Sequence, residues 1–385
     1  MGKGKIAVIV GTRPEVIKLA PLVTILGDEA RVIRTGQHFS RSMFDRISVG
    51  FGISQYDGLL QSRGQGRASQ LGATTRGLDG LFAEDRPHVV VVQGDTTSAV
   101  GGALAANAND IPVVHVEAGL RSFDRRMPEE HNRRIIDCVA DLCCAPTMVN
   151  RENLLAEGIP EERIVVTGST VVDAALSALP SAPDREAILA RNGVRRHGYV
   201  LATLHRPENV DVPTTLEGLL RDLGAIGYPV LLPLHPRTRL RITDFNLEHL
   251  LAPILVTPPL SYPELLGLAQ DAALLVTDSG GLQEEASILG RPVVVVRRST
   301  ERPEIEGTFG TLVRPGPDLM PTVRHWLATA AERRAWLSRM PSPYGDGTAA
   351  QCIVDHLRNL LSVGVRPEPG PPASPSSRDV LDPIS

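Results

Sequence analysis

Short apolar runs alternate with amphipathic stretches along most of the chain. Runs such as Val89–Val92 are apolar at every position, which is typical of parallel strands covered on both faces. The amphipathic stretches between them have helical periodicity. In the first half the predicted strands are Lys5–Val10, Ala30–Arg34, His88–Gln93, Val113–Val116 and Ile164–Thr167. The predicted helices are Pro14–Leu26, Arg67–Glu84, Thr97–Asn107, Glu129–Ala140 and Thr147–Glu157.

A second series of strands follows the proline-rich segment Ala178–Asp184, which we interpret as a hinge. Strand–helix alternation of this kind predicts an α/β fold with two Rossmann-like doubly wound domains facing across a cleft. We place the domains at residues 1–178 and 179–348, with a last helix at 349–362 that can cross back to the first domain. The composition of residues 364–385 is typical of a disordered tail. The strands of the second series are Tyr199–Leu204, Val230–Leu234, Ile254–Val256, Leu274–Thr277 and Val293–Val296.

The composition narrows the class of protein without defining its chemistry. With 385 residues, of which 42% are hydrophobic and 22% charged, the chain is typical of a globular protein. A net charge of −4 provides no basic field for nucleic acid or a membrane surface. The first residues do not resemble a signal peptide, so we expect a cytoplasmic protein. The cysteines have no zinc or disulfide spacing, so we expect buried thiols and no metal; they are Cys138, Cys143, Cys144 and Cys352.

The segment Asp278–Ala286 directly follows an apolar strand and begins a helix. A helix N-terminus offers free backbone N–H groups and the positive end of the helix dipole to a phosphate. Gly280 and Gly281 allow a close approach, and Ser279 adds a hydroxyl donor. Glu285, one turn further on, can reach a sugar hydroxyl. We therefore expect a nucleoside diphosphate as ligand.

Polar residues at the carboxyl ends of strands are expected to converge on one cleft. In the first half these include Asp95, Glu117 and either Glu129 or Glu130. Lys18 is one of only three lysines in the chain, which hints that its compact ammonium group is needed there. In the second half the strand-end residues are His205, His235 and the loop Arg297–Glu304, which could supply arginine forks to a diphosphate.

Two common nucleotide signatures are absent from the sequence. No GxGxxG motif joins a strand to a helix, and no GxxxxGK[ST] motif occurs. Nicotinamide redox chemistry and P-loop phosphoryl transfer are therefore not indicated.

The motifs together resemble the non-hydrolysing UDP-N-acetylglucosamine 2-epimerases over almost the whole chain outside the tail. The resemblance implies a glycosyltransferase-B-like architecture, a homodimer and no cofactor. It also implies interconversion of UDP-GlcNAc and UDP-ManNAc by elimination and re-addition of UDP through 2-acetamidoglucal. The motifs that carry it are Gly11–Glu15 with Lys18, Gln93–Thr97, His115–Arg121, Pro128–Glu130 with Asn132 and Arg133, His205–Asn209, Asp278–Gly281 with Gln283–Glu285, and Thr300–Glu304.

The resemblance also assigns roles to residues at the matching positions. Asp95, Glu117 and Glu129 become acid/base candidates, with His205 assisting and Lys18 supporting the carboxylates. The residues expected to hold UDP are Arg13, His235, Ser279, Gly280, Gly281 and Glu285. Further candidates are Gln37, His38, Arg121, Glu130, Arg133 and Arg302.

Two segments depart from the family pattern. Phe39–Met43 lacks the Arg-Glu-Met sequence of members that a second substrate molecule activates, and Phe123–Met127 is short. Activation by substrate is therefore in doubt, and the sugar could be a modified 2-acetamido hexose. A glycosyltransferase of the same architecture, a hydrolysing epimerase and a UDP-sugar-binding protein without turnover remain alternatives.

Overall fold

The computed structural model describes residues 6–36, 58–59 and 66–363. Its first sheet is parallel throughout, with the strand order 3-2-1-4-5-6-7. We call this sheet and its helices the first lobe. The strands are β1 Ile6–Val10, β2 Ala30–Arg34, β3 Gly58–Leu59, β4 Val89–Gln93, β5 Val113–Val116, β6 Leu142–Ala145 and β7 Ile164–Val166.

The second sheet, with its helices, forms the second lobe. It is also parallel, in the order 10-9-8-11-12-13, which repeats the order of the first six strands of the first sheet. The predicted fold, two Rossmann-like doubly wound domains facing across a cleft in a glycosyltransferase-B-like architecture, is confirmed. The strands are β8 Val200–Thr203, β9 Val230–Pro233, β10 Leu255–Thr257, β11 Leu274–Thr277, β12 Val293–Val296 and β13 Gly310–Val313.

Helices cover both faces of each sheet, as the continuous apolar strands require. Those of the first lobe are α1 Arg13–Leu26, α2 Arg67–Glu84, α3 Thr97–Ala108, α4 Pro128–Val139, α5 Met148–Ala156 and α6 Thr170–Ala178. Next along the chain come α7 Ala182–Arg191, α8 Pro207–Val210, α9 Pro213–Gly224, α10 Pro236–Asp244, α11 Tyr262–Asp271, α12 Gly280–Ile288, α13 Leu319–Ala328, α14 Ala330–Leu337 and α15 Ala349–Val363. Short 3-10 turns lie at Gly27–Glu29, Glu161–Arg163, Glu248–Leu251 and Pro303–Ile305.

The final helix, α15, lies against the first lobe. Ile353, Val354 and Leu357 are fully buried in the same apolar cluster as Val16 and Leu19 of α1. The last described element of the chain thus completes the core beneath the first sheet.

Most predicted elements lie within one residue of the observed bounds, but most of the segment predicted as a hinge is helical. Residues 179–181 alone join α6 to α7, because Ser181 caps α7 by accepting a hydrogen bond from the backbone N–H of Asp184 at 3.4 Å. Proline is well tolerated in the first turn of a helix, so Pro183 marks a helix start rather than a loop. The strands β3, β6 and β13 were not predicted.

The cysteine prediction was partly wrong. Cys143 and Cys144 on β6 are buried, and burial raises the pKa of both thiols. Cys138 is exposed on α4, and Cys352 is only partly buried. Within the described part of the chain, each helix is too short or too polar to cross a bilayer.

Candidate active site

The candidate residues lie where the strand order of each sheet reverses. In the first sheet this point is between β1 and β4, and in the second between β8 and β11. Open parallel sheets bind ligands at the carboxyl ends of strands at such points. Arg13 follows β1 and Asp95 follows β4, while His205 follows β8 and Ser279 follows β11. The two reversals therefore bring four predicted site residues to the edges that face the cleft.

Glu15 ties the loops after β1 and β4 together. Its fully buried carboxylate accepts hydrogen bonds from the backbone N–H of Gly11 at 3.0 Å and from the Thr96 hydroxyl at 2.7 Å. Burial raises the pKa of Glu15, and these hydrogen bonds partly offset the rise. Lys18 lies on α1, the helix that follows the first of these loops, and Asp95 lies in the second.

Glu117, directly after β5, is held by donors from three directions. Lys18 Nζ and Gln93 Nε2 both contact Oε2, and Arg302 Nη2 donates to Oε1 at 2.8 Å. The backbone of Glu117 has φ = 70°, a left-handed conformation that costs a non-glycine residue about 1–3 kcal/mol. Strain of this kind clusters at functional sites, and here it turns the carboxylate toward the cleft.

Arg302 connects the two lobes. Its Nη1 donates to Glu301 at 2.6 Å and its Nε contacts Glu284, while Nη2 reaches Glu117 of the first lobe. Burial would lower the pKa of Arg302, but the three carboxylates outweigh it and raise that pKa well above its ordinary value. The guanidinium is thus committed to carboxylates, not left free to grip a diphosphate.

Asp95 faces a second arginine. Arg133 donates to its carboxylate through Nε at 3.1 Å and contacts it through Nη2. The Asn132 amide fixes the backbone carbonyl of Asp95 at 2.6 Å. Because the Asp95 side chain keeps 28% of its surface exposed, the carboxylate is oriented yet accessible from the cleft.

Glu129 and Glu130 have different surroundings. Glu130 is 1% exposed and accepts hydrogen bonds from Ser122 N at 2.9 Å, Ser122 Oγ at 3.0 Å and Arg133 Nη1 at 2.9 Å. Glu129 is half-buried and makes no side-chain hydrogen bond or ion pair with any described residue. Glu130 therefore anchors the loop before α4, and Glu129 is the carboxylate available to a ligand.

His205 lies against a buried aspartate and a second histidine. Its Nδ1 is 2.9 Å from Asp278 Oδ1, and its ring centroid is 5.4 Å from that of His235. Burial would raise the pKa of Asp278, but the hydrogen bonds from His205 lower it below the ordinary value. Burial, followed by the charge of His205, lowers the pKa of His235.

The predicted phosphate turn has the expected shape. Ser279 caps α12, its Oγ accepting from the backbone N–H of Leu282 at 3.4 Å. A methyl group on Gly280 would lie 2.7 Å from Arg302 Nη1, so the turn is packed tightly on that side. At Gly281 the nearest atom would be Glu285 Oε1 at 3.9 Å, which leaves room above that residue.

Glu285 lies beneath this turn, next to Tyr262. Burial raises the pKa of Glu285 to about 7, while the Tyr262 hydroxyl and the charges of Lys18 and Arg13 act in the opposite direction. Arg13 crosses from the first lobe and donates to the Leu260 carbonyl at 3.3 Å; burial lowers the pKa of its guanidinium.

One described site candidate, Arg121, is not brought to this cluster. Arg121 is buried in a separate network with Asp137 at 2.7 Å and Glu157 at 2.6 Å. Gln37 and His38 lie outside the described residues. Residues 6–36, 58–59 and 66–363 contain no group of three or more His, Cys, Asp or Glu side chains arranged to hold a metal ion.

Several residues that contact predicted site residues were not assigned roles from the sequence. They include Gln93, Asp278, Glu284 and Glu301. Each of these four lies one or two positions from an assigned residue, so the signal was present in the motifs themselves.

Comparison with known proteins identifies the family. The two lobes define a glycosyltransferase-B-like α/β protein. A family model described as UDP-N-acetylglucosamine 2-epimerase matches residues 27–358. The UDP-N-acetylglucosamine 2-epimerase of Methanocaldococcus jannaschii is 38% identical over 365 residues, covering 91% of this chain and 98% of that protein. The chain belongs to the UDP-N-acetylglucosamine 2-epimerase family, as its motifs predicted.

Two further similarities bear on the substrate. The UDP-2,3-diacetamido-2,3-dideoxy-D-glucuronate 2-epimerase of Pseudomonas aeruginosa is 35% identical over 368 residues, covering 92% of this chain and 100% of that protein. The crystal structure of the M. jannaschii epimerase in complex with UDP-GlcNAc and UDP matches with a TM-score of 0.81 at 36% identity. That match covers 92% of this chain and 99% of the other.

Proposed function

We propose that the protein epimerises UDP-N-acetylglucosamine reversibly at C2 to UDP-N-acetylmannosamine. The reaction eliminates UDP to form 2-acetamidoglucal and adds UDP back with the proton delivered to the opposite face of C2. The C2 proton has no neighbouring carbonyl to acidify it. Expelling UDP from C1 places positive character beside C2 and loosens that proton, so acid/base groups and a nucleotide grip must meet in one cleft.

One contact carries this proposal. Arg302 Nη2 is 2.8 Å from Glu117 of the first lobe, and Nη1 lies 2.7 Å from the Cβ position of Gly280 in the second. A single guanidinium thus separates an acid/base candidate from the turn suited to a diphosphate. A UDP-sugar held at the turn has its reacting carbons within reach of the first-lobe carboxylates.

The nucleotide-binding role is supported by the second lobe. Backbone N–H groups of Gly280 and Gly281 open α12, where the helix dipole favours the diphosphate. His205 and His235 lie at neighbouring strand ends and are suited to the same phosphates, and Glu285 suits sugar hydroxyls of the nucleotide.

The acid/base roles are supported by the first lobe. Asp95 and Glu117 are each oriented by cationic donors, and Glu129 has none among the described residues. We assign Asp95, Glu117 and Glu129 to proton transfer, with Lys18 supporting Glu117. Groups acting in this way typically contribute about 10²–10⁴-fold each to the rate.

The proposal is tested by proton NMR of UDP-GlcNAc incubated with the protein in heavy water. We expect deuterium at C2 and the appearance of UDP-ManNAc, with severe losses in Asp95→Asn, Glu117→Gln and Glu129→Gln. Folded protein that binds UDP but leaves C2 unlabelled would contradict the proposal. Transfer of the sugar to an alcohol acceptor would instead favour a glycosyltransferase.

A modified UDP-2-acetamido sugar is the second candidate substrate. It is favoured by the similarity to the P. aeruginosa epimerase, whose named substrate is a diacetamido glucuronate. Parallel assays with UDP-GlcNAc and that uronate compare kcat/KM directly.

The biological setting is also part of the proposal. We expect a cytoplasmic homodimer that needs no cofactor and consists of domains at 1–178 and 179–348. Light scattering with size-exclusion chromatography measures the mass of the assembly, and activity after treatment with a chelator tests independence from metal.

A further inference from the structure

Asp278 is a buried carboxylate whose donors come from one segment. It accepts hydrogen bonds from the backbone N–H groups of His205 and Arg206, each at 2.9 Å, and from Asn209 Nδ2 at 3.1 Å. It is fully buried at the end of β11. The same carboxylate also contacts His205 Nδ1 at 2.9 Å. Asp278 therefore positions both the backbone and the ring of His205.

This arrangement selects one orientation of the imidazole and places a hydrogen on its Nδ1. A carboxylate can only accept, so His205 Nδ1 carries the proton that lies between them. The remaining ring nitrogen, Nε2, is the one left for the cleft, and 36% of the side chain is exposed. Because the pKa of Asp278 is lowered, its charge persists at neutral pH.

The second histidine differs in its surroundings. His235 accepts from the backbone N–H of Arg237 through Nδ1 at 3.2 Å and has no carboxylate contact among the described residues. The lowered pKa of His235 keeps this ring neutral beside His205. The charged groups near the two rings are Asp278, Arg206, Arg237 and Arg13.

We propose that Asp278 is a positioning residue that acts through His205. In the reacting complex the ring carries hydrogen on both nitrogens, with Nδ1–H donated inward to Asp278 and Nε2–H directed at the diphosphate oxygen bonded to C1. This inference rests on the proposed function. When the C1–O bond breaks, its electron pair goes to that oxygen, where the hydrogen bond from Nε2–H stabilises the developing charge. A first-lobe carboxylate takes the C2 proton. When UDP returns, the C1–O bond forms again and the proton is delivered to C2 from the opposite face.

A double-mutant cycle tests whether Asp278 acts through the ring. We expect Asp278→Asn to lower kcat for C2 exchange by about 10²-fold, a typical contribution of an acid/base group. In a His205→Asn background the same change should cost little more, since the ring is already gone. Losses that multiply in the double variant would overturn the inference.

Nitrogen NMR of the imidazole rings provides a readout that is independent of turnover. In the wild-type protein we expect His205 to carry a hydrogen on Nδ1, with its signals assigned by their loss in His205→Asn. In Asp278→Asn the Nδ1–H signal should shift or disappear. A His205 ring protonated only at Nε2 in the wild-type protein would overturn the inference, whether or not any variant folds.

Asp173→Asn is the matched control for removing a buried carboxylate. Asp173 accepts from the backbone N–H of Ala350 at 2.9 Å, away from either histidine, and Asn retains that acceptor. We expect this variant to keep the His205 signals and the exchange rate. If Asp173→Asn changed the His205 signals as much as Asp278→Asn does, the effect would come from losing any buried carboxylate. That outcome would contradict a specific role for Asp278. Absence of C2 exchange in the wild-type protein would contradict the proposed function while leaving the tautomer result valid.

Discussion

At the scale of single residues, substitutions of Glu129 and Glu130 should have different effects on C2 exchange and on stability. Glu129→Gln should lower C2 exchange by about 10²–10⁴-fold with little effect on stability, because it lacks a partner among the described residues. Glu130→Gln must place its amide NH₂ at one of the two oxygen positions, where it meets the donors of Ser122 and Arg133 at Oε2 or those of Phe123 and Arg134 at Oε1. A buried mismatch of this kind costs about 1–3 kcal/mol.

Exchange rates and thermal midpoints of the two variants separate these roles. A stable, inactive Glu130→Gln protein, together with an active Glu129→Gln protein, would reverse the assignment.

Glu285 makes the stability depend on pH. Its pKa is raised from 4.5 to about 7, so the folded state binds the proton more tightly than the unfolded chain. The resulting stability is present below about pH 4.5 and is lost as the pH rises through about 7. Relative to wild type, the free energy of unfolding of Glu285→Gln should rise by up to about 3 kcal/mol between about pH 5 and about pH 8. Urea midpoints of both proteins, measured at about pH 5 and about pH 8, test this prediction. A stability difference of the same size at both pH values would contradict it.

Strand-end reasoning found Asp95, Glu117 and His205 because the carboxyl ends of parallel strands share an edge. It did not find the contact between Arg302 and Glu117, which are 185 positions apart. Such pairing depends on how two lobes meet, which no local pattern specifies. Strand-end reasoning also selected Arg121, which is not part of the site. Its side chain forms a buried ion pair with Asp137 instead.

At the scale of elements, substitutions of the two glycines at the N-terminus of α12 should have different effects on stability and on ligand binding. Gly281→Ala should leave the thermal midpoint nearly unchanged, because its methyl group has 3.9 Å of clearance, yet weaken UDP binding by about tenfold. Gly280→Ala should destabilise the protein, since its methyl group would lie 2.7 Å from Arg302. Calorimetry with UDP and thermal unfolding check both.

Gly80→Ala is the control for replacing a helical glycine. It lies in α2 with no atom within 4 Å of the added methyl group, so we expect unchanged UDP binding. The free energy of unfolding should rise by about 0.5–1 kcal/mol. Unaltered UDP affinity in Gly281→Ala would show that the diphosphate does not approach this turn.

The elements themselves were largely predictable. Short runs rich in apolar and β-branched residues located β2, β5, β11 and β12 at their observed bounds. The strands β6 and β13 were missed because Leu-Cys-Cys-Ala and Gly-Thr-Leu-Val lack a β-branched run. Their conformation comes from pairing with β5 and β12, which is tertiary information.

At the scale of the whole molecule, Arg302 holds the lobes together. Arg302→Gln leaves Glu117, Glu284 and Glu301 without their shared cation, a loss of about 3–5 kcal/mol for a broken buried pair. We expect a larger radius of gyration in small-angle X-ray scattering, because repulsion separates the lobes. Arg206→Gln is the control, since Arg206 meets Glu301 within one lobe at 3.6 Å and should leave the radius unchanged. Equal radii for all three proteins would refute the bridging role.

The placement of α15 has a consequence for biosynthesis. The first lobe is translated first, yet the apolar surface of α1 is covered by Ile353, Val354 and Leu357 near the far end of the chain. A nascent chain therefore leaves the ribosome with this surface still exposed, and chaperones have their longest opportunity to bind there. The lobe made first is completed last.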